Sequence, residues 1–137
     1  MTFAYWSILL AALLPLIWAG VAKTSADGYD NHKPRVFLAN LKGRAQRANW
    51  SQTNAYESFP PYAAAVIIGS AVGGDQMTID IIAGVYLLAR VLHGIFYIQD
   101  KAMARSLVWT LSFFCIIAIF LTAAWTGDSA SLELINQ

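Results

Sequence analysis

Four stretches of this chain carry almost no charge, and each approaches the roughly 20 residues that cross a hydrocarbon core as a helix. Phe3 to Ala22 and Ser58 to Gly74 contain no charged residue. Ile79 to Ile98 is interrupted only by Asp80, Arg90 and His93, and Ser106 to Gly127 is uninterrupted. The composition agrees, at 58% hydrophobic and 12% charged residues. A water-exposed globule needs more polar surface than that and ordinarily carries about 25% charged residues. The expectation is an all-α integral membrane protein, a four-transmembrane-helix bundle forming one domain over residues 1–137. Its spans are expected at about 3–22, 44–74, 77–98 and 104–127, followed by a short polar tail from Asp128. No basic residue precedes the first apolar run, so it reads as a retained span and not as a cleaved leader.

The placement of charge predicts the orientation. The first loop and the entry to the second span hold Lys23, Lys33, Arg35, Lys42, Arg44 and Arg47, and the third loop holds Lys101 and Arg105. The second loop has Asp75 and no Lys or Arg. The positive-inside rule then makes loops one and three cytoplasmic and puts both termini on the non-cytoplasmic side. Tyr5, Trp6, Trp18, Trp109 and Trp125 lie near span ends and are expected as interfacial anchors. The single cysteine, Cys115, lies in an apolar run and reads as packing. His32 and His93 stand on separate segments without ligand spacing, so no metal is expected. The absence of a basic-aromatic stripe argues against a nucleic-acid partner.

Against this apolar background, two polar stripes stand out. Gly43 to Glu57 has no helix breaker, so the second helix is expected to begin well before its uncharged run. On it Arg47, Trp50, Asn54 and Glu57 fall at i, i+3, i+7 and i+10, within one stripe roughly 80° wide. On the third helix Arg90, His93, Tyr97 and Lys101 fall at i, i+3, i+7 and i+11. The short turn near Gly74 makes the two helices antiparallel neighbours. Legs of roughly 25 Å on either side then bring Glu57 and Arg90 together in the cytoplasmic half of the membrane. A charge within the bilayer costs about 2.5–3.5 kcal/mol, so both should face inward. A Glu57–Arg90 ion pair clasping the two helices would explain those two residues alone. Arg47, Asn54, His93, Tyr97 and Arg105 add donors beyond what one carboxylate uses, which points to a bound anion. Pro60 and Pro61 follow at once and are expected to bend the helix beside Glu57.

Arg44-Ala45-Gln46-Arg47-Ala48 and Asn54-Ala55-Tyr56-Glu57-Ser58-Phe59-Pro60 resemble the second helix of the MAPEG superfamily, the membrane-associated proteins in eicosanoid and glutathione metabolism. Arg90-Val91-Leu92-His93-Gly94-Ile95-Phe96-Tyr97, followed by Arg105-Ser106, resembles that family's third helix and the start of its fourth. The resemblance covers nearly the whole chain and implies a homotrimer. It also implies a glutathione site between subunits near the cytoplasmic face. On that reading Arg47, Asn54, Glu57, Arg90, His93 and Tyr97 hold glutathione, the co-substrate, with Glu57 on its amino group and arginines on its carboxylates. Arg105 and Ser106 match positions that stabilise the thiolate in catalytic members. Two departures stand in the second helix: Trp50 and Gln52 occupy positions where some eukaryotic members have arginine and histidine. The Tyr97–Arg105 spacing is also one residue shorter than in some catalytic members. The chain looks most like the bacterial branch, which implies a multi-pass protein of the bacterial plasma membrane. Its other partners would be membrane lipids and a lipophilic small molecule. The implied activity is that of a glutathione-dependent transferase or peroxidase acting on lipophilic electrophiles or lipid hydroperoxides. Two alternatives stay open: a non-catalytic lipid- or ligand-binding protein, and an accessory subunit of a membrane complex.

Overall fold

The computed structural model describes the backbone of residues 1–135 and the side chains through Trp125. It is all-helical: α1 (Phe3–Thr24), α2 (Pro34–Ala39), α3 (Gly43–Ala71), α4 (Gln76–Ile98) and α5 (Ala102–Ile135). Three of the helices are long and apolar enough to cross a membrane: α1, α4, and α5 over Ala102–Trp125. By the same measure α3 is not, because its first half carries Arg44, Arg47, Asn54 and Glu57. The backbone of α5 runs on to Ile135 through the polar tail expected from Asp128, with no proline or glycine after Gly127 to stop it.

Both tight connections end a helix in the same way. After α3, Gly73 takes φ 85°, Gly74 N–H bonds Gly69 O at 2.9 Å and Gly73 N–H bonds Ser70 O at 3.3 Å. After α4, Asp100 takes φ 63°, Lys101 N–H bonds Phe96 O at 2.9 Å and Asp100 N–H bonds Tyr97 O at 3.2 Å. These are Schellman closures, which need a left-handed residue that glycine adopts freely and aspartate less so. Asp75 then caps α4, accepting from Thr78 N–H at 2.9 Å and from the Thr78 hydroxyl. Those two bonds hold its carboxyl below the usual carboxylate range.

Helix α1 packs chiefly on α3, and α4 chiefly on α5, with α3 also against α4 and α5. The seams are lined by small residues. Ala4, Ala11, Ala65 and Ala83 are buried with Val66, Ile79 and Ile119, whereas Leu13, Leu16, Leu88, Phe114 and Leu121 are exposed. Small side chains inside let helices approach closely, and bulky apolar ones outside suit hydrocarbon. Cys115 is buried in this core. Three of its hydroxyls are paired: Ser7 donates to Ala4 O and bonds the Tyr62 hydroxyl, Tyr62 stacks on Tyr86 at 3.6 Å, and the Tyr86 hydroxyl donates to Ser58 O. At the opposite end from α2, Asp80 accepts from Ala4 N–H at 2.8 Å and from the Gln76 amide at 2.9 Å. Its carboxylate thus satisfies a free backbone donor in the first turn of α1.

Trp18 departs from the expected interfacial role. It is only 7% exposed and packs across Gly94 of α4, where an added Cβ would overlap the indole ring. The missing side chain at Gly94 leaves the slot that the ring fills. Trp6, Trp109 and Trp125 are exposed.

Candidate functional site

The site lies at the α2 end of the molecule, where α3 faces α4. Arg90 is 2% exposed, and its Nη2 donates to the Asn54 side-chain oxygen at 2.8 Å and to the Asn54 backbone oxygen at 3.2 Å. Its Nη1 is buried without a hydrogen-bond partner. Because Asn54 Oδ1 is taken by Arg90, its amide nitrogen is turned to Glu57 Oε2, at 3.5 Å. A chain of contacts therefore runs from a buried guanidinium, through an amide, to an exposed carboxylate.

This arrangement corrects the expected direct meeting of Glu57 with Arg90. Among the described residues the two form no ion pair. A neutral amide meets one side of the buried guanidinium, and Glu57 keeps the hydration it would lose in a buried ion pair. Glu57 stays exposed and free to meet a ligand.

The other residues of the two stripes divide. His93 is 3% exposed and meets Tyr97 edge to face at 5.5 Å. Arg105 sets its guanidinium over the Tyr97 ring at 4.4 Å, joining the start of α5 to the end of α4. Arg47 is engaged elsewhere: its Nε donates to Ile98 O at 3.2 Å and its Nη1 is 3.7 Å from Asp100. It therefore ties α3 to the end of α4. Lys101 lies over Phe96 at 5.9 Å. Ser106 is exposed, and among the described residues nothing ties its side chain to the cluster.

Two cavities share the Asn54–Glu57 wall. One, of about 350 Å³, is bounded by Trp50, Thr53, Asn54, Glu57 and Tyr97. The other, of about 190 Å³, lies between α3 and α5, where Pro61, Trp109, Phe113 and Ile116 supply an apolar lining beside Ser112. Pro60 and Pro61 sit inside an α3 that continues unbroken, and Pro61 forms part of this second wall. The sequence puts Trp50 on the polar stripe with Asn54 and Glu57 but outside the set expected to hold glutathione, and it gives Thr53 no role. Their signal was present, since positions 50, 53, 54 and 57 form one helical face. The α5 lining had no such signal, because its facing of α3 is a tertiary fact.

A polar face of this kind can bind a small charged ligand at the head of an apolar cleft. No curated protein matches the chain in sequence. A model of the MAPEG family matches residues 3–125, which takes in the first four helices and the described side chains of α5. By a match of that extent, the chain belongs to the MAPEG family.

Proposed function

We propose that this chain is a glutathione-dependent transferase or peroxidase working on lipophilic electrophiles or lipid hydroperoxides from the bilayer. The observation that carries the reading is the Arg90–Asn54–Glu57 chain opening on a polar cavity whose wall also borders an apolar cleft. Glu57 would take the amino group of glutathione. The orphaned Arg90 Nη1 marks a donor left over beside Asn54. The architecture that goes with this reading is four spans, termini outside, the site toward the cytoplasm of a bacterial plasma membrane, and a homotrimer with the thiol between subunits.

Arg105 and Ser106 are assigned to the sulfur. A free thiol has a pKa of about 8.5, and a neighbouring guanidinium stabilises the thiolate. The thiolate then attacks an electrophilic carbon, forming the S–C bond as the leaving group departs or a proton is taken up. With a hydroperoxide it attacks the distal oxygen and breaks the O–O bond. The alkoxide leaves and takes up a proton as the alcohol, and a second thiol condenses with the sulfenic acid to give a disulfide and water.

One observation favours a non-catalytic ligand-binding protein as a second reading: Arg105 is already stacked on Tyr97, and Ser106 stands apart. Calorimetry of glutathione on the detergent-solubilised protein, with turnover of a model electrophile, separates the two. Glu57→Gln should abolish binding while the fold survives. Arg105→Ala should lower turnover more than affinity; equal losses would mean that Arg105 only holds the ligand. No binding to the folded protein would end the glutathione reading.

A further inference from the structure

The segment joining α1 to α3 carries charge that the thiol site does not use. Residues 31–44 include Lys33, Arg35, Lys42 and Arg44 and no acidic residue. All four cations are exposed, and among the described residues none of them is ion-paired. The flanking cations differ: Lys23 lies over the Tyr29 ring at 4.7 Å, and Arg47 is 3.7 Å from Asp100. Asp27 and Asp30 precede the segment, and Asp30 accepts from His32 N–H at 2.8 Å. Helix α2 lies within the segment, and none of its six residues is buried. Phe37 and Leu38 pack on the cluster of Trp18, Ala22, Leu41 and Ala45, which ties α2 to the end of the spanning helix α1. Val36 is 58% exposed beside Arg35.

We propose that residues 31–44 form a contact surface for the headgroups of anionic phospholipids in the membrane that α1 spans. The proposal is independent of the thiol chemistry above. Four unpaired cations held at the end of a spanning helix lie where headgroups begin, and each adds about fivefold to the affinity for an anionic surface. Val36 places an apolar side chain among them, as an element lying in the interface requires and a soluble polyanion would not use. The bland account of these cations is that they keep the loop from crossing the membrane, which requires no preference for any headgroup.

The test is native mass spectrometry of the full chain in a neutral detergent, titrated with phosphatidylglycerol or phosphatidylcholine of the same acyl chains. Wild type should retain phosphatidylglycerol tenfold or more in preference to phosphatidylcholine, and about 0.5 M salt should reduce that preference. Lys33→Gln with Arg35→Gln should weaken phosphatidylglycerol by about 10- to 30-fold, and adding Lys42→Gln and Arg44→Gln should bring it to the level of phosphatidylcholine. Binding of phosphatidylcholine should stay nearly unchanged in both variants. Equal retention of the two lipids by wild type overturns the proposal, and so does a preference that survives all four substitutions. Displacement of phosphatidylglycerol by polyglutamate at equal charge also overturns it, because the segment would then be a docking site for an acidic protein. Circular dichroism and gel filtration establish that each variant is folded, and because the four side chains are exposed their replacement removes no core.

Discussion

Gly94→Ala tests the packing that positions the site. Gly94 follows His93 on α4, and three atoms of the Trp18 indole lie where a Cβ at position 94 would sit. The ring is rigid and 7% exposed, so it has no inexpensive way out. Overpacking of this sort costs about 1–3 kcal/mol, toward the upper end when the obstacle cannot rotate away. Against that stands the helix preference of alanine over glycine, about 1 kcal/mol. The net expectation is a loss of about 1–2 kcal/mol, which lowers the folded-to-unfolded ratio by about 5- to 30-fold. Two other helical glycines serve as controls. A Cβ at Gly84 meets Phe3 at an ordinary 3.7 Å, and one at Gly20 meets nothing within 4 Å. Alanine at either should be neutral or mildly stabilising. The assay is reversible denaturation of the solubilised protein by titration with a harsher detergent, followed by circular dichroism. A smaller ring should relieve the clash, so Trp18→Phe combined with Gly94→Ala should show favourable coupling of about 1 kcal/mol relative to the sum of the singles. If Gly94→Ala behaves like Gly84→Ala, the Trp18–Gly94 contact does not position α1 against α4 and the reasoning fails.

Two further outcomes use the same assay. Ser7→Ala strands the buried Tyr62 hydroxyl and should cost about 1–3 kcal/mol, more than Tyr62→Phe, which leaves Ser7 its bond to Ala4 O; equal costs would mean the hydroxyl pair contributes nothing of its own. Asn54→Leu removes the side-chain acceptor from buried Arg90 and should cost about 1–3 kcal/mol, whereas Asn54→Asp keeps that acceptor and should sit closer to wild type; the reverse order would show that Arg90 does not depend on Asn54.

Much of this protein was legible in one dimension. Long uncharged runs declare helices in hydrocarbon because burial of apolar length is a local property of the chain. The stripe of Asn54 and Glu57, and that of Arg90, His93 and Tyr97, were legible because a helix repeats every 3.6 residues regardless of its neighbours. What remained hidden was which members of facing stripes touch. Asn54 comes between Arg90 and Glu57, and Arg47 turns away to Asp100 and the end of α4. Both outcomes depend on competition between partners brought together from distant parts of the chain. Trp18 was misread for the same reason, because nothing near it in sequence reveals the slot at Gly94.

The sequence by itself therefore determined the helices, their apolar faces and the polar set from which a site is built. The tertiary structure decided the pairings within that set, the two cavities that share Asn54 and Glu57, and the exposure of Trp50 on the wall of one of them. The physical reason is that periodicity and hydropathy act along the chain, whereas desolvation and steric fit are settled only among atoms already in contact.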